Sequence, residues 1–207
     1  MTMVDWQIRE CIKDGSIVIR RDYKDFDESR LIGPNSVDVT LGRHFWRVMP
    51  NKNTDNFCAL NNMRFKYEKR DEAIKLKPRE RLLGITEEFV GGTVDINRTY
   101  AVVAHMHARS STGRYGITTN LCAGFGDVGY VNRWTMEICN LNDFDIEIPV
   151  GMKIAQMEFQ KVAIPLSLYA EKSAGAQYQS VSDISQVISS WNPISMIPTQ
   201  NRDKAII

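Results

Sequence analysis

The chain has 207 residues, 43% hydrophobic and 25% charged, with a formal net charge of +1. That length suits one large domain with its own core or two small ones. The near-neutral balance excludes a global field that would draw in nucleic acid or an acidic membrane, so any anion site must be local.

No apolar run approaches the roughly 18 residues of a membrane span, and the charged start MTMVDWQIRECIKDG lacks a signal-peptide core. A cytoplasmic protein is expected (host cytosol, were the source viral). Cys11, Cys58, Cys122 and Cys139 form no C-x-x-C pair, which argues for free thiols and against a structural zinc.

In chain order, Asp5 is placed to cap a helix over 5–14, with Ile8, Cys11 and Ile12 on one stripe and Gly15 as its stop. Ser16–Ile19 reads as a strand. Residues 32–35 read as a turn, and Ser36–Leu41 alternates as a strand does. Residues 50–81 are polar without a clear period, an insertion or long loop with some strand. From Leu82 short strands recur over 82–85, 100–107, 115–121, 133–140, 145–148 and 153–163, punctuated by Gly, Asn, Asp or Pro. This rhythm predicts an all-β sandwich or barrel rather than βαβ units. Residues 171–207 are rich in Ser, Gln, Ala and Asn. They read as a flexible tail after a domain over 1–170, either ordering over a ligand or simply disordered.

Three segments carry chemistry. His107–Gly116 packs Arg109, Ser110, Ser111 and Arg114 around a glycine. Guanidinium forks and hydroxyls donate to phosphate oxygens, although a solvated turn has the same composition. Ala123–Tyr130 leads into a strand on which Trp134, Met136 and Ile138 share one face and Arg133, Thr135, Glu137 and Cys139 the other. With the apolar face inward, Glu137 points at solvent, a cleft or a partner subunit. Asp127, between glycines, is a functional carboxylate or only a turn residue. Asp38, on the strand after Pro34-Asn-Ser, is placed to orient an arginine, bind a metal or make a structural hydrogen bond. His105 and His107 lie at i, i+2 without an evident third ligand, and the H-x-E with P-C-x-x-C zinc pattern of base deaminases is absent.

Taken in order, these segments resemble the dCTP deaminase family, the deaminase branch of the dUTPase superfamily. Pro34-Asn-Ser-Val-Asp-Val-Thr-Leu-Gly42 is similar to its P-x-S-V-D-L-x-L-G motif, and Ala108-Arg-Ser-Ser-Thr-Gly-Arg-Tyr-Gly116 to its G-R-S-S-x-x-R-x-G motif. Ala123-Gly-Phe-Gly-Asp-Val-Gly-Tyr130 followed by Glu137 resembles the A-[HG]-x-x-D-x-G-[WFY] run and its catalytic Glu. Pro149-Val-Gly-Met-Lys-Ile resembles the late R-P-G-M-x-I strand.

The resemblance implies a mainly β, dUTPase-like fold (a β-clip or jelly-roll barrel) with a short N-terminal helix, assembled as a homotrimer with shared active sites. It implies zinc-independent deamination of dCTP, or a related deoxycytidine nucleotide, to dUTP and ammonia. The alternatives are a bifunctional enzyme giving dUMP and pyrophosphate, a dUTP pyrophosphatase, and a non-catalytic nucleotide-binding regulator.

Glu137 would be the general base and acid. Ser110 and the Ala123 carbonyl would position the water. Arg109, Ser110, Ser111 and Arg114 would hold the phosphates, with Mg²⁺ bound through those phosphates and not directly by the protein. Asp127 would bind the sugar 3′-hydroxyl and Tyr130 would lie under the deoxyribose. Gln177 and Tyr178 fall in the tail motif, where Gln177 stands in place of the family's Lys and Val181 in place of its final Gln. Asn120 stands where some members have a His.

Overall fold

In the computed structural model, residues 1–22, 25–49, 63–121, 124–171 and 176–198 are described. Helix α1 (Asp5–Lys13) comes first, then β1 (Ile17–Arg20), a short α2 (Glu28–Leu31) and the long β2 (Val37–Met49). Next are β3 (Arg64–Lys69), β4 (Ala73–Leu76), β5 (Arg81–Gly92), β6 (Ala101–Ala108), α3 (Ser110–Arg114) and β7 (Ile117–Thr118). The chain continues through β8 (Phe125–Gly126), β9 (Val131–Asn140), β10 (Ile146–Pro149) and β11 (Lys153–Val162), and ends in α4 (Ile184–Ser189) and a 3₁₀ turn, Pro193–Met196. No described helix is long and apolar enough to cross a membrane.

The main sheet runs β7-β9-β5-β2-β11-β6-β8, with β1 pairing β5 and β3 pairing β2; β10 and β4 form a separate pair. The pairings assigned between strands are antiparallel. The sheet curls because β2 and β5 change partners along their length. Val37–Thr40 pair with β11, whereas Phe45–Arg47 pair with β5 and β3. The expected mainly β architecture with a short leading helix is therefore the one found.

The core fills the curl. Ile8 and Cys11 of α1 meet Val37, Val39, Leu41 and Phe45 of β2, and Trp134, Met136 and Ile138 of β9. Burying these side chains stabilises the fold by roughly 1.5–3 kcal/mol each before entropy is charged against it. The Trp134 indole N–H also donates to the Val90 carbonyl at 2.8 Å, so the largest inward ring of β9 is fixed in depth and rotation.

Several expectations need correcting. Asp5 does not cap α1 from outside but sits in its first turn, where its carboxylate accepts from Trp6 N at 2.8 Å. The Gln7 side chain accepts from Val4 N instead. Strand 82–85 is part of a much longer β5, because Thr86 and Glu88 find partners inside the protein despite their polarity. Residues 115–121 are not one strand. Tyr115 closes α3, Gly116 has φ +70°, and Asn142 covers it, so only Ile117 and Thr118 pair with β9. The described part of the insertion is largely strand, with Arg64–Lys69 extending the sheet beyond β2 and Ala73–Leu76 pairing with β10.

Candidate active site

On β9 the period of two places Thr135 and Glu137 on the face opposite the core, as the sequence requires. Glu137 lies opposite Leu83 of β5. Its half-buried carboxylate accepts a hydrogen bond from Leu121 N at 3.1 Å, and Thr118 Oγ1 donates to its backbone carbonyl at 3.3 Å. The chain just before the Ala123–Tyr130 motif therefore holds this carboxylate from behind.

The motif itself makes a turn. Tyr130 N donates to the Asp127 carbonyl at 2.9 Å, and Gly129 at the third position has φ +89°, the type II geometry that favours glycine there. Gly91 lets β5 approach this turn, since a Cβ on it would stand 1.9 Å from the Tyr130 carbonyl oxygen. Asp127 is exposed at the head of the turn. The Tyr130 ring packs edge-on against Trp134 and Tyr169, with centroids 5.5 and 5.0 Å apart. Burial, and then the neighbouring Tyr169 and Tyr178 hydroxyls, raise the Tyr130 hydroxyl pKa, so it stays a neutral donor.

Glu137, Asp127 and Tyr130 line one cleft of about 280 Å³, together with Phe125, Thr135 and Tyr169. Tyr178 and Met196 of the C-terminal segment complete its wall. Four of the expected site residues are thus gathered: Glu137, Asp127, Tyr130 and Tyr178. Gln177, next to Tyr178, is half-buried. Ala123 lies outside the described residues, as do Cys58 and Cys122.

Arg109, Ser110, Ser111 and Arg114 are not in the lining of that cleft. They belong to α3 and its first flank, where Ser110 and Arg114 are exposed. Thr112 anchors the helix by donating to the Ile154 carbonyl at 3.2 Å. Asp38 orients Arg109, with Oδ1 3.1 Å from Nε, as an ion contact without hydrogen-bond alignment. Its Oδ2 is 2.9 Å from Lys153 Nζ. Asp38 Oδ1 also accepts a hydrogen bond from Gln156 Nε2 at 3.4 Å, so its contacts match both a structural hydrogen bond and an arginine-facing carboxylate.

The paired histidines are occupied otherwise. His107 Nε2 lies 3.1 Å from Glu158, and the His105 ring stands edge-on to Phe125 at 4.9 Å. Among the described residues no group of three His, Cys, Asp or Glu side chains is placed to hold a metal ion, and Cys11 and Cys139 are free thiols.

Sequence reasoning missed Gln179. It is 5% exposed, accepts from Val131 N at 2.9 Å and donates to the carbonyls of Gly129 and Val181. It ties the C-terminal segment to the turn that carries Asp127. Leu83, Tyr169 and Met196 were missed as well, and no local pattern marks them. Thr135 was legible from its place two residues before Glu137.

A curled β-sheet with two carboxylates and a tyrosine facing one cleft defines a β-fold pocket protein of the kind the motifs implied. The model of the dCTP deaminase-like family matches residues 2–162, and the chain belongs to that family. A protein of Methanoculleus marisnigri named "dCTP deaminase, dUMP-forming" is 33% identical over 162 residues, covering 78% of this chain and 81% of its own. One of the same name from Dictyoglomus thermophilum is 30% identical over 184 residues, covering 86% and 89%. The crystal structure of the 2′-deoxycytidine 5′-triphosphate deaminase from Agrobacterium tumefaciens shares the fold, with a TM-score of 0.55 at 22% identity. It covers 78% of this chain, which spans about half (48%) of that one.

Proposed function

We propose that this protein deaminates dCTP and then cleaves the resulting triphosphate, giving dUMP, ammonia and pyrophosphate. One observation carries the reading: Glu137 is held by a backbone amide while facing a cleft shared with Asp127 and Tyr130. The names of the relatives favour this two-step outcome over simple release of dUTP.

In the first step Glu137 takes a proton from a water attacking C4 of cytosine. Glu137 passes that proton to N3, then carries the second proton, from the C4 hydroxyl, to the amino group as the C4–N bond breaks and the C4 carbonyl forms, so one water enters and ammonia departs. Ser110 and the Ala123 carbonyl are assigned to the water. Tyr130 lies under the deoxyribose, where its ring excludes a 2′-hydroxyl, and Asp127 takes the 3′-hydroxyl. In the second step a second water attacks the α-phosphate and pyrophosphate leaves.

Among the described residues, the lining of the Glu137 cleft of one chain carries hydroxyls but no arginine or lysine to meet the phosphate charge. Arg109, Ser110, Ser111 and Arg114 provide that chemistry on an exposed helix, held on the Asp38 side by an ion pair. We therefore assign the complete site to a homotrimer in which one copy's α3 faces another copy's cleft. Mg²⁺ would come bound to the phosphate oxygens, whose charge it would offset. The donor set here, guanidinium and hydroxyl groups, fits the phosphates rather than the ion.

The test is to incubate the protein with dCTP, and separately with dUTP, and resolve dUTP, dUMP and pyrophosphate. The expected result is dUMP and pyrophosphate from both. Stoichiometric dUTP from dCTP, with no cleavage of added dUTP, would leave a monofunctional deaminase. Cleavage of dUTP without any turnover of dCTP would leave a pyrophosphatase.

A further inference from the structure

A second cluster of side chains lies away from the main core and does not belong to the reaction. Arg133 shares the outer face of β9 with Glu137, yet it is only 2% exposed. It pairs with Asp22 and lies 3.6 Å from Glu87. Its guanidinium carbon sits 4.8 Å from the centroid of Phe89 and 4.9 Å from that of Trp191, so the cation is held between two aromatic rings.

Trp191 comes from the C-terminal segment. It also stands edge-on to Phe89 at 6.0 Å and to His44 at 5.3 Å. His44 in turn contacts Tyr67 on β3, ring to ring at 5.9 Å and Nδ1 to hydroxyl at 2.8 Å. Phe65, also on β3, packs with Trp46, Leu83, Ile85 and Met196. The strand from the insertion thus builds one wall of a seat that the C-terminal segment fills.

We propose that Trp191 is a positioning residue: clasped on Arg133, it holds residues 176–198 so that Tyr178 and Met196 form the wall of the Glu137 cleft. The seat built by β3 exists for that purpose. This inference rests on the function proposed above. Two more anchors share the task. Asn132 Nδ2 donates to the Tyr178 carbonyl at 3.0 Å, and Gln179 is tied to the turn at Gly129. Trp191 acts through its ring, since among the described residues its indole N–H has no hydrogen-bond partner. A phenyl ring can therefore substitute for most of its contact with Arg133.

When a binding-competent arrangement is only partly populated, apparent affinity falls by that fraction while saturating substrate restores the rate. Loss of the clasp must then raise KM and leave kcat. The experiment compares Trp191→Ala, Trp191→Phe and a control on the same segment, exposed Ile194→Ser, by dCTP kinetics and by hydrogen exchange of residues 176–198 without nucleotide.

For Trp191→Ala we expect exchange to quicken and KM for dCTP to rise about tenfold, with kcat near the wild-type value. Trp191→Phe should restore most of both, and Ile194→Ser should change neither. Unaltered exchange in Trp191→Ala, or a fall in kcat at unchanged KM, overturns the clasp. If Trp191→Ala lowers the melting temperature, the Trp191→Phe comparison still decides between a ring contact and general damage. If the wild type does not turn over dCTP, the proposed function fails and hydrogen exchange alone decides the clasp.

Discussion

Two glutamates show how this molecule separates structure from chemistry. Glu88 on β5 is fully buried, with 0% exposure. It is surrounded by donors: the Arg21 guanidinium, Thr40 N at 2.8 Å and Thr40 Oγ1 at 2.8 Å. Glu137, on the neighbouring strand, faces a cleft and takes its hydrogen bond from one backbone amide. A carboxylate enclosed by four such hydrogen bonds is a structural fixture. One held from behind with its front open retains acceptor capacity for a reactant.

Breaking each in turn sharpens that contrast. Glu137→Gln keeps size and burial, so the melting temperature should stay near that of the parent while dCTP deamination falls by about 10²–10⁴. A Glu137→Gln protein that deaminates at the parental rate would end the assignment. Glu88→Gln leaves Arg21 without its counter-charge in a place where that side chain is only 13% exposed. It should cost about 3 kcal/mol of stability in a urea titration. The folded variant at low temperature should retain its KM for dCTP, because Glu88 does not line the cleft. A loss of rate without a loss of stability would reverse the roles argued for the two residues.

The smallest effect concerns pH. Burial lowers the His44 pKa to about 4, and the charges of Arg133 and Lys69 push in the same direction. The unfolded imidazole titrates near 6.5. Between those values the unfolded chain binds a proton that the folded chain does not, so this contribution to stability is complete above about 6.5 and is lost as pH falls toward 4. His44→Asn should therefore lose less melting temperature than the parent when the pH drops from 7 to 5. An equal or greater loss would place His44 outside the clasp region's acid sensitivity.

Much of the site was legible because a strand's period of two leaves little freedom. With Trp134, Met136 and Ile138 inward, Glu137 had to face out. The glycines around Asp127 announced a turn, which Gly129 makes with its positive φ. The helix over 5–14 and the strand after Pro34 followed from apolar spacing in the same way.

What stayed hidden depends on partners distant in sequence. Strand β3 alternates Phe65 and Tyr67 with charged residues, but it covers the sheet edge with mostly exposed side chains, so its signal is weak. Thr86 and Glu88 look like the end of a strand until Trp134 N, Thr40 and Arg21 are seen to meet them. Gln179 falls inside the tail motif, between Tyr178 and Val181, but its tie to Gly129, like that of Trp191 to Arg133, depends on partners far upstream. That Arg109 to Arg114 and Glu137 line different places on one chain is likewise a matter of topology, which local patterns do not contain.

The register between β5 and β9 has one more consequence. From Ile85 to Phe89 the first strand takes four steps while its partner takes two, from Thr135 to Arg133. The surplus is even, so parity survives it: Leu83, Ile85 and Phe89 all stay on one side, and Leu82 and Val90 on the other. An odd surplus would turn half of the strand over and send either the neighbours of Glu137 or those of Arg133 into the interior. At this point β5 keeps both of its faces matched to β9 only when residues are gained or lost in pairs.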